Sequence, residues 1–389
     1  MSSTISGFPI VPEDVVQRVL EELFYDDQHQ PDYAALSACS QVCTLWRPLA
    51  QKLLFHQVKI PGRSRGRHLA SFCTAVYSCS PQSETLASYV RRVVIVLGNP
   101  AINPHSNDVS DLIELLSHCH GIYEMSLHVS GVELDANTME ALRDAHRRSF
   151  PTPVRALNLS CGILSPILYH LLSVWPTVQF LRLGVELVAP IPKGPSPVQL
   201  YELALHRLPQ PHIMQWLLSS SEGSLRILEF PTATTEQYDH VLEKHYEHLH
   251  SLRFFRQTLR SSTLVRRFTN LRELLISQLS SFLPLGDLPQ SIEHLGFRHF
   301  SGVAANDIGA LDTLVSAIDK LPRLRLISCD ASAKGNHAFA TLENSCKQRG
   351  VVISFDVQSW RTYEDPVPLC AYPRGRSIHN LPYMNQPTC

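Results

Sequence analysis

The chain has 389 residues, with 34 Lys and Arg against 35 Asp and Glu, 44% apolar residues and 18% charged ones. That length allows two or three domains or one long repeat array, and the apolar fraction excludes wholesale disorder. A net charge of −1 excludes a chain-wide basic field for nucleic acid, and the longest strongly apolar run, Val93 to Leu97, is far short of the roughly 20 residues that cross a bilayer.

Residues 1–13 carry neither a cationic start nor an apolar core, so no secretory signal is expected. The ten cysteines are then expected to be reduced, in a cytoplasmic or nuclear protein. The segment 11–23 places Pro12, Glu13 and Asp14 ahead of apolar residues at 15, 16, 19, 20 and 23, the pattern of an amphipathic helix start. A polar break with Pro31 ends it. Leu36, Cys39, Val42, Cys43 and Trp46 then lie at helical spacing, predicting one continuous apolar face that Pro48 interrupts. A third helix over Leu49 to Phe55 leads into the strand-like segment 57–60. Cys39 and Cys43 share a face, but a structural zinc site needs two more ligands, and core packing is the reading taken.

These features resemble an F-box of the type abundant in basidiomycete fungi. Val11-Pro12-Glu13-Asp14 stands for the opening Leu-Pro-x-Glu-like turn, Leu36, Cys39, Val42, Cys43 and Trp46 for the second helix, and Leu54-Phe55 for the close of the third. Val11 replaces the usual leucine and Asp14 the usual glutamate. The resemblance covers residues 9–60. It implies docking to a Skp-family adaptor and, through it, to cullin and RING subunits of an SCF-type ubiquitin ligase. Pro12, Val15, Val16, Val19, Leu20, Leu23 and Leu36 would then meet the adaptor, a helix face filling a groove, and would also supply part of the module's own core.

After a linker with a helical segment (61–89), a pattern of apolar, two residues, apolar, one residue, apolar recurs ten times over 90–356. It begins at Val90-Val93-Ile95, Ile122-Met125-Leu127, Val154-Leu157-Leu159, Val178-Leu181-Leu183 and Leu200-Leu203-Leu205. It continues at Leu225-Leu228-Phe230, Leu249-Leu252-Phe254, Leu271-Leu274-Ile276, Ile292-Leu295-Phe297 and Leu321-Leu324-Leu326. The intervals run from 21 to 32 residues, several of them within the leucine-rich-repeat range. Amphipathic stretches at 111–118, 137–148 and 307–320 lie between copies. The fold class is therefore α/β: a small three-helix F-box followed by an irregular leucine-rich-repeat-like strand–helix solenoid. The turn asparagine of the standard repeat is missing, with Cys329 alone fitting its slot, so uneven curvature is expected.

Residues between the buried strand positions should point to the concave side. They include Arg182, His206, Glu229, Arg253, Phe255, Arg298, Arg323 and Arg325, a mixed-charge surface suited to a protein target. Arg298, Arg323 and Arg325 would suit an acidic or phosphorylated segment. The histidines at 240, 245, 248 and 250 scatter around a helix, and no phosphate-binding loop, nucleophile elbow or metalloprotease motif occurs in the chain. An enzyme, a cofactor, a metal, nucleic acid and a membrane are all unexpected. The Pro-rich segment 357–389 is either a tail packed along the last repeat or a flexible arm, with Tyr363, Tyr372 and Tyr383 as anchors to the concave face, as a plug or as a bait for a partner.

Overall fold

The structure is a computed structural model that describes residues 11–26, 30–60, 72, 81–98, 107–148, 153–162, 164–258, 260–277, 279, 283–297, 310–355 and 364–384. Three short helices open it: α1 (Glu13–Glu22), α2 (Tyr33–Cys39) and α3 (Trp46–Leu54). Val16, Leu20, Phe24, Leu36, Cys39, Ala50 and Leu53 form their common core. The expected second helix is shorter than its pattern. It stops at Cys39, leaving Val42 and Cys43 exposed. Pro48 bars one helix from running on into α3: its missing N–H would break a bond and its ring would clash with the preceding turn. Restarting at Trp46 puts Pro48 in the first turn of α3, where that N–H has no intrahelical role.

The rest is one sheet of twelve strands, among the described residues, in which spatial order is chain order and every neighbouring pair is parallel. The strands are β1 (Gln57–Ile60), β2 (Arg92–Gly98), β3 (Glu124–Ser130), β4 (Ala156–Ser160), β5 (Phe180–Leu183) and β6 (Glu202–Leu205). They continue as β7 (Ile227–Thr232), β8 (Ser251–Arg256), β9 (Glu273–Ile276), β10 (His294–Phe297), β11 (Leu326–Cys329) and β12 (Val352–Ser354). Parallel neighbours require crossovers, and these carry helices on the convex side: α4 (Pro81–Tyr89), α5 (Val109–His118), α6 (Ala136–Arg148), α7 (Ile167–Val174) and α8 (Pro211–Leu218). Further crossovers hold α9 (Asp239–Leu242), α10 (Ser261–Arg267), α11 (Ala310–Ile318) and α12 (Phe339–Arg349). Local chemistry sets the ends. Asp108 and Asp111 form a reciprocal capping box on α5, and Gly350, at φ 69°, ends α12 just before β12. The main core runs unbroken from Ile60 to Val351 between sheet and helices. It includes Ile60, so β1, read as the tail of the helical module, is the first strand of the solenoid.

Nine of the ten expected copies stand in register. Val93, Met125, Leu157, Leu181, Leu203, Leu228, Leu252, Leu274 and Leu295 form a single ladder. The tenth is corrected by three residues. Leu295 pairs with Ile327 and Phe297 with Cys329, so the copy is Leu324-Ile327-Cys329, not Leu321-Leu324-Leu326. The backbone ladder explains the choice. Two residues before each central apolar position an N–H donates to the preceding strand, as Arg272 does to the His250 carbonyl (2.8 Å) and Glu293 to the Arg272 carbonyl (2.8 Å). The expected register puts Pro322 there, with no N–H to give. The observed one puts Arg325 there, donating to the Glu293 carbonyl at 2.8 Å. Cys329 is accordingly a fully buried strand residue and does not occupy the turn slot.

Candidate interaction surfaces

Helix α1 divides the seven residues expected to meet an adaptor. Val16, Leu20 and Leu36 are at most 1% exposed and form the module's core, so their side chains are not available to a partner. Pro12, Val15, Val19 and Leu23 are exposed. With Val11 the apolar members make a stripe at spacing four, 42%, 44%, 37% and 40% exposed for Val11, Val15, Val19 and Leu23. A four-residue step returns to nearly the same helix face, so Val15, Val19 and the C-cap Leu23 form one row, with Val11 just ahead of the helix start. Four large apolar residues aligned on one solvated face are what partner-docking helices present.

Part of the concave face is covered by the chain itself. Residues 364–384 form a hairpin-like strap across it, ending in the short helix α13 (Leu381–Met384). Asp365 N donates to the Gly375 carbonyl and Arg374 to the Val367 carbonyl (3.1 Å), which tie the two limbs together. Tyr123 and Tyr201 donate their hydroxyls to the Pro366 (2.6 Å) and Leu369 (3.1 Å) carbonyls. Val367 and Met384 are buried with Tyr123, Ala156 and Phe180, while Ile378 and Leu381 pack against the N-terminal helices. Tyr372 is buried with Arg272 near its ring, whereas Tyr383 is exposed and Tyr363 lies outside the described residues.

Between strap and sheet lies a buried ionic network. Arg253 on β8 bonds Glu273 (2.7 Å) and Glu364 of the strap (2.8 Å), and Arg374 bonds Glu364 (3.0 Å) and Glu202 on β6. Glu273 also accepts from Ser251 (2.5 Å) and pairs with His294 (2.8 Å). Burial by itself disfavours the charged forms of Arg253, Arg374, Glu202 and Glu273, but the surrounding opposite charges outweigh it. The guanidinium pKa values of Arg253 and Arg374 are raised, and the carboxyls of Glu202 and Glu273 are held below their usual range. All four stay ionised at neutral pH.

This arrangement re-sorts the residues expected to hold a target. Arg253 is fully buried in the network and Glu229 is 1% exposed beside it, so neither faces solvent. Phe255 is half-buried. Arg325 is exposed but lies before β11 at the Glu293 position of the ladder, where it pairs with Glu293, and Arg323 precedes the strand altogether. Both displacements follow from the register shift; the concave positions of β11 belong to Leu326 and Ser328. Arg298 lies outside the described residues. Arg182 and His206 do line an open space. It is a groove of about 410 Å³ shared with Arg92, Glu124, Ser126, His128, Asn158, Ser160, Gly184 and, from the strap, Arg376. Sequence reasoning omitted Arg92, Glu364, Asp365, Arg374 and Arg376. The last four were visible as charges in a Pro-rich tail, and Arg92 as a charge between the apolar positions Val90 and Val93.

Of the histidine group, His245 is buried, His240 exposed and His248 and His250 half-buried; among the described residues no set of three His, Cys, Asp or Glu is placed to hold a metal ion. No described helix is long and apolar enough to cross a membrane. The register ladder and the strand–helix alternation define the class of this chain: a parallel solenoid of leucine-rich-repeat type carrying a small helical module at its first strand.

No protein-family model and no curated protein matches the sequence. Among solved structures it is similar to the leucine-rich-repeat-containing protein LegL7 from Legionella pneumophila, at 14% identity and a TM-score of 0.43, over 77% of this chain and 89% of that one.

Proposed function

We propose that this chain is a substrate receptor of an SCF-type ubiquitin ligase. In this reading α1 docks a Skp-family adaptor, and through it cullin and RING subunits, while the solenoid holds a target protein. The chain performs no chemistry and needs no cofactor; it contributes proximity, which turns transfer of ubiquitin into an effectively intramolecular step. The observation that carries the reading is the solvated row Val11, Val15, Val19 and Leu23, on a module whose sequence resembles an F-box. Neither nucleic acid nor a membrane enters the proposal.

The test is co-purification of the full chain with a Skp-family adaptor. Wild type should retain it, and Val15→Glu with Val19→Glu should lose it while keeping the wild-type melting temperature. Failure of the wild type to bind, or binding by the double variant, refutes the adaptor role. An alternative is a repeat scaffold that binds proteins without directing ubiquitination. Accumulation of solenoid-bound partners when the chain is deleted separates the receptor from the scaffold.

A further inference from the structure

Resting on the receptor reading, we propose that the groove between β2–β6 and the strap is an anion-recognition site. It would take an acidic or phosphorylated side chain of the protein target, and the strap's Arg376 would form one wall of it.

Three cations, Arg92, Arg182 and Arg376, line the groove against one carboxylate, Glu124. Arg92 consumes the nearby acids: it meets Glu124 at 2.9 Å and Asp365 at 2.5 Å. Asp365 is further occupied by the Ser377 N–H (3.1 Å) and the Asn380 amide (2.8 Å). Glu202, 3.5 Å from Arg182, is bound by Arg374 on its other oxygen. Each of these carboxylates thus already lies within ion-pair distance of another arginine, and Arg376 Nε lies out of water with no hydrogen-bond partner. Burial and the neighbouring charge of Arg92 lower the Arg376 pKa more than Glu124 and Asp365 raise it.

The rest of the lining suits a polar group of modest size. Ser126, Ser160 and Gly184 leave the floor open, Asn158 donates to Ser126 (3.1 Å), and the exposed His128 and His206 also line the groove. A guanidinium binds carboxylate or phosphate through paired, charge-assisted hydrogen bonds. Because Arg376 belongs to the strap, the strap builds the site and does not plug it.

The experiment uses full-length protein and three degenerate peptide libraries with a fixed central phosphoserine, glutamate or alanine. Retention of the phosphoserine library alone, or of both anionic libraries, above the alanine library supports the site and tells phosphate from carboxylate. Arg376→Met and Gly184→Leu should each lower that retention about ten-fold or more. The second acts by filling the floor, since a Cβ at 184 meets Ser160 at 3.4 Å, an ordinary contact. Both variants should melt as wild type. Equal retention of the three libraries, or wild-type retention by both variants, overturns the assignment. So does increased retention on deleting residues 364–389, which would make the strap a plug. Val15→Glu with Val19→Glu must leave peptide retention intact, so loss of adaptor binding and loss of anion binding are separate failures.

Discussion

Replacing Arg253 by methionine tests whether the strap and the sheet are one folded unit. The guanidinium is fully buried and bridges Glu273 (2.7 Å) and Glu364 (2.8 Å), which lie 91 residues apart in sequence. Methionine approximates its volume but leaves two carboxylates out of water. Glu273 keeps Ser251 and His294, and Glu364 keeps Arg374, so both stay partly compensated. Removing one partner of a buried pair costs about 3–5 kcal/mol, a large share of the roughly 5–15 kcal/mol that holds a folded domain together. Urea unfolding followed by circular dichroism at pH 7.4 should show that loss. The triple variant Arg253→Met, Glu273→Gln, Glu364→Gln removes the stranded charges as well and should recover most of it. A loss below about 1 kcal/mol in the single variant, or a triple variant no better than the single, would refute the reasoning.

Leu20→Ala should destabilise the N-terminal module by about 2–5 kcal/mol, because Leu20 is core, whereas Val19→Glu should cost little; the order of their melting temperatures checks this. Burial lowers the His245 pKa to about 4. As pH falls from 7.5 to 5 the unfolded chain, at its ordinary value near 6.5, takes up the proton first. That group therefore removes about 2 kcal/mol of stability over the interval, and His245→Leu should flatten the pH dependence of unfolding by that amount, an unchanged slope counting against it. Burial pushes the Cys329 and Cys346 thiols up to about 11. In native-state alkylation read by mass spectrometry, Cys43 and Cys370 should label quickly and Cys329 and Cys346 only on unfolding; rapid labelling of Cys329 would contradict the observed register.

Most of the solenoid was legible because its determinants are local. A leucine at every second strand position and a helix start between strands are decided within a few residues of themselves, and nine copies of the pattern stood where their spacing put them. The tenth was misplaced because both Leu321-Leu324-Leu326 and Leu324-Ile327-Cys329 satisfy the apolar spacing. Side-chain pattern could not separate them, but the missing N–H of Pro322 could. The second helix ends at Cys39 although its apolar spacing persists to Trp46, because spacing alone does not fix where a helix stops.

The site is a different case. Which residues lie on the concave side follows from alternation along each strand, a local property, so Arg182 and His206 could be named in advance. Whether a concave residue meets solvent depends on what else lies there, and residues 364–384 cross the sheet to reach partners as far off as Arg92, 273 positions away from Asp365. No periodicity in a Pro-rich tail encodes that pairing. It arises because buried charges tolerate burial only beside opposite charges, a condition satisfied in three dimensions between segments with no sequence relation. Repeats and helix starts belong to the sequence; which apolar residues of the first helix are core and which are solvated does not. The partial covering of the concave face, the burial of Arg253 and the groove left beside Arg376 were decided by tertiary structure alone.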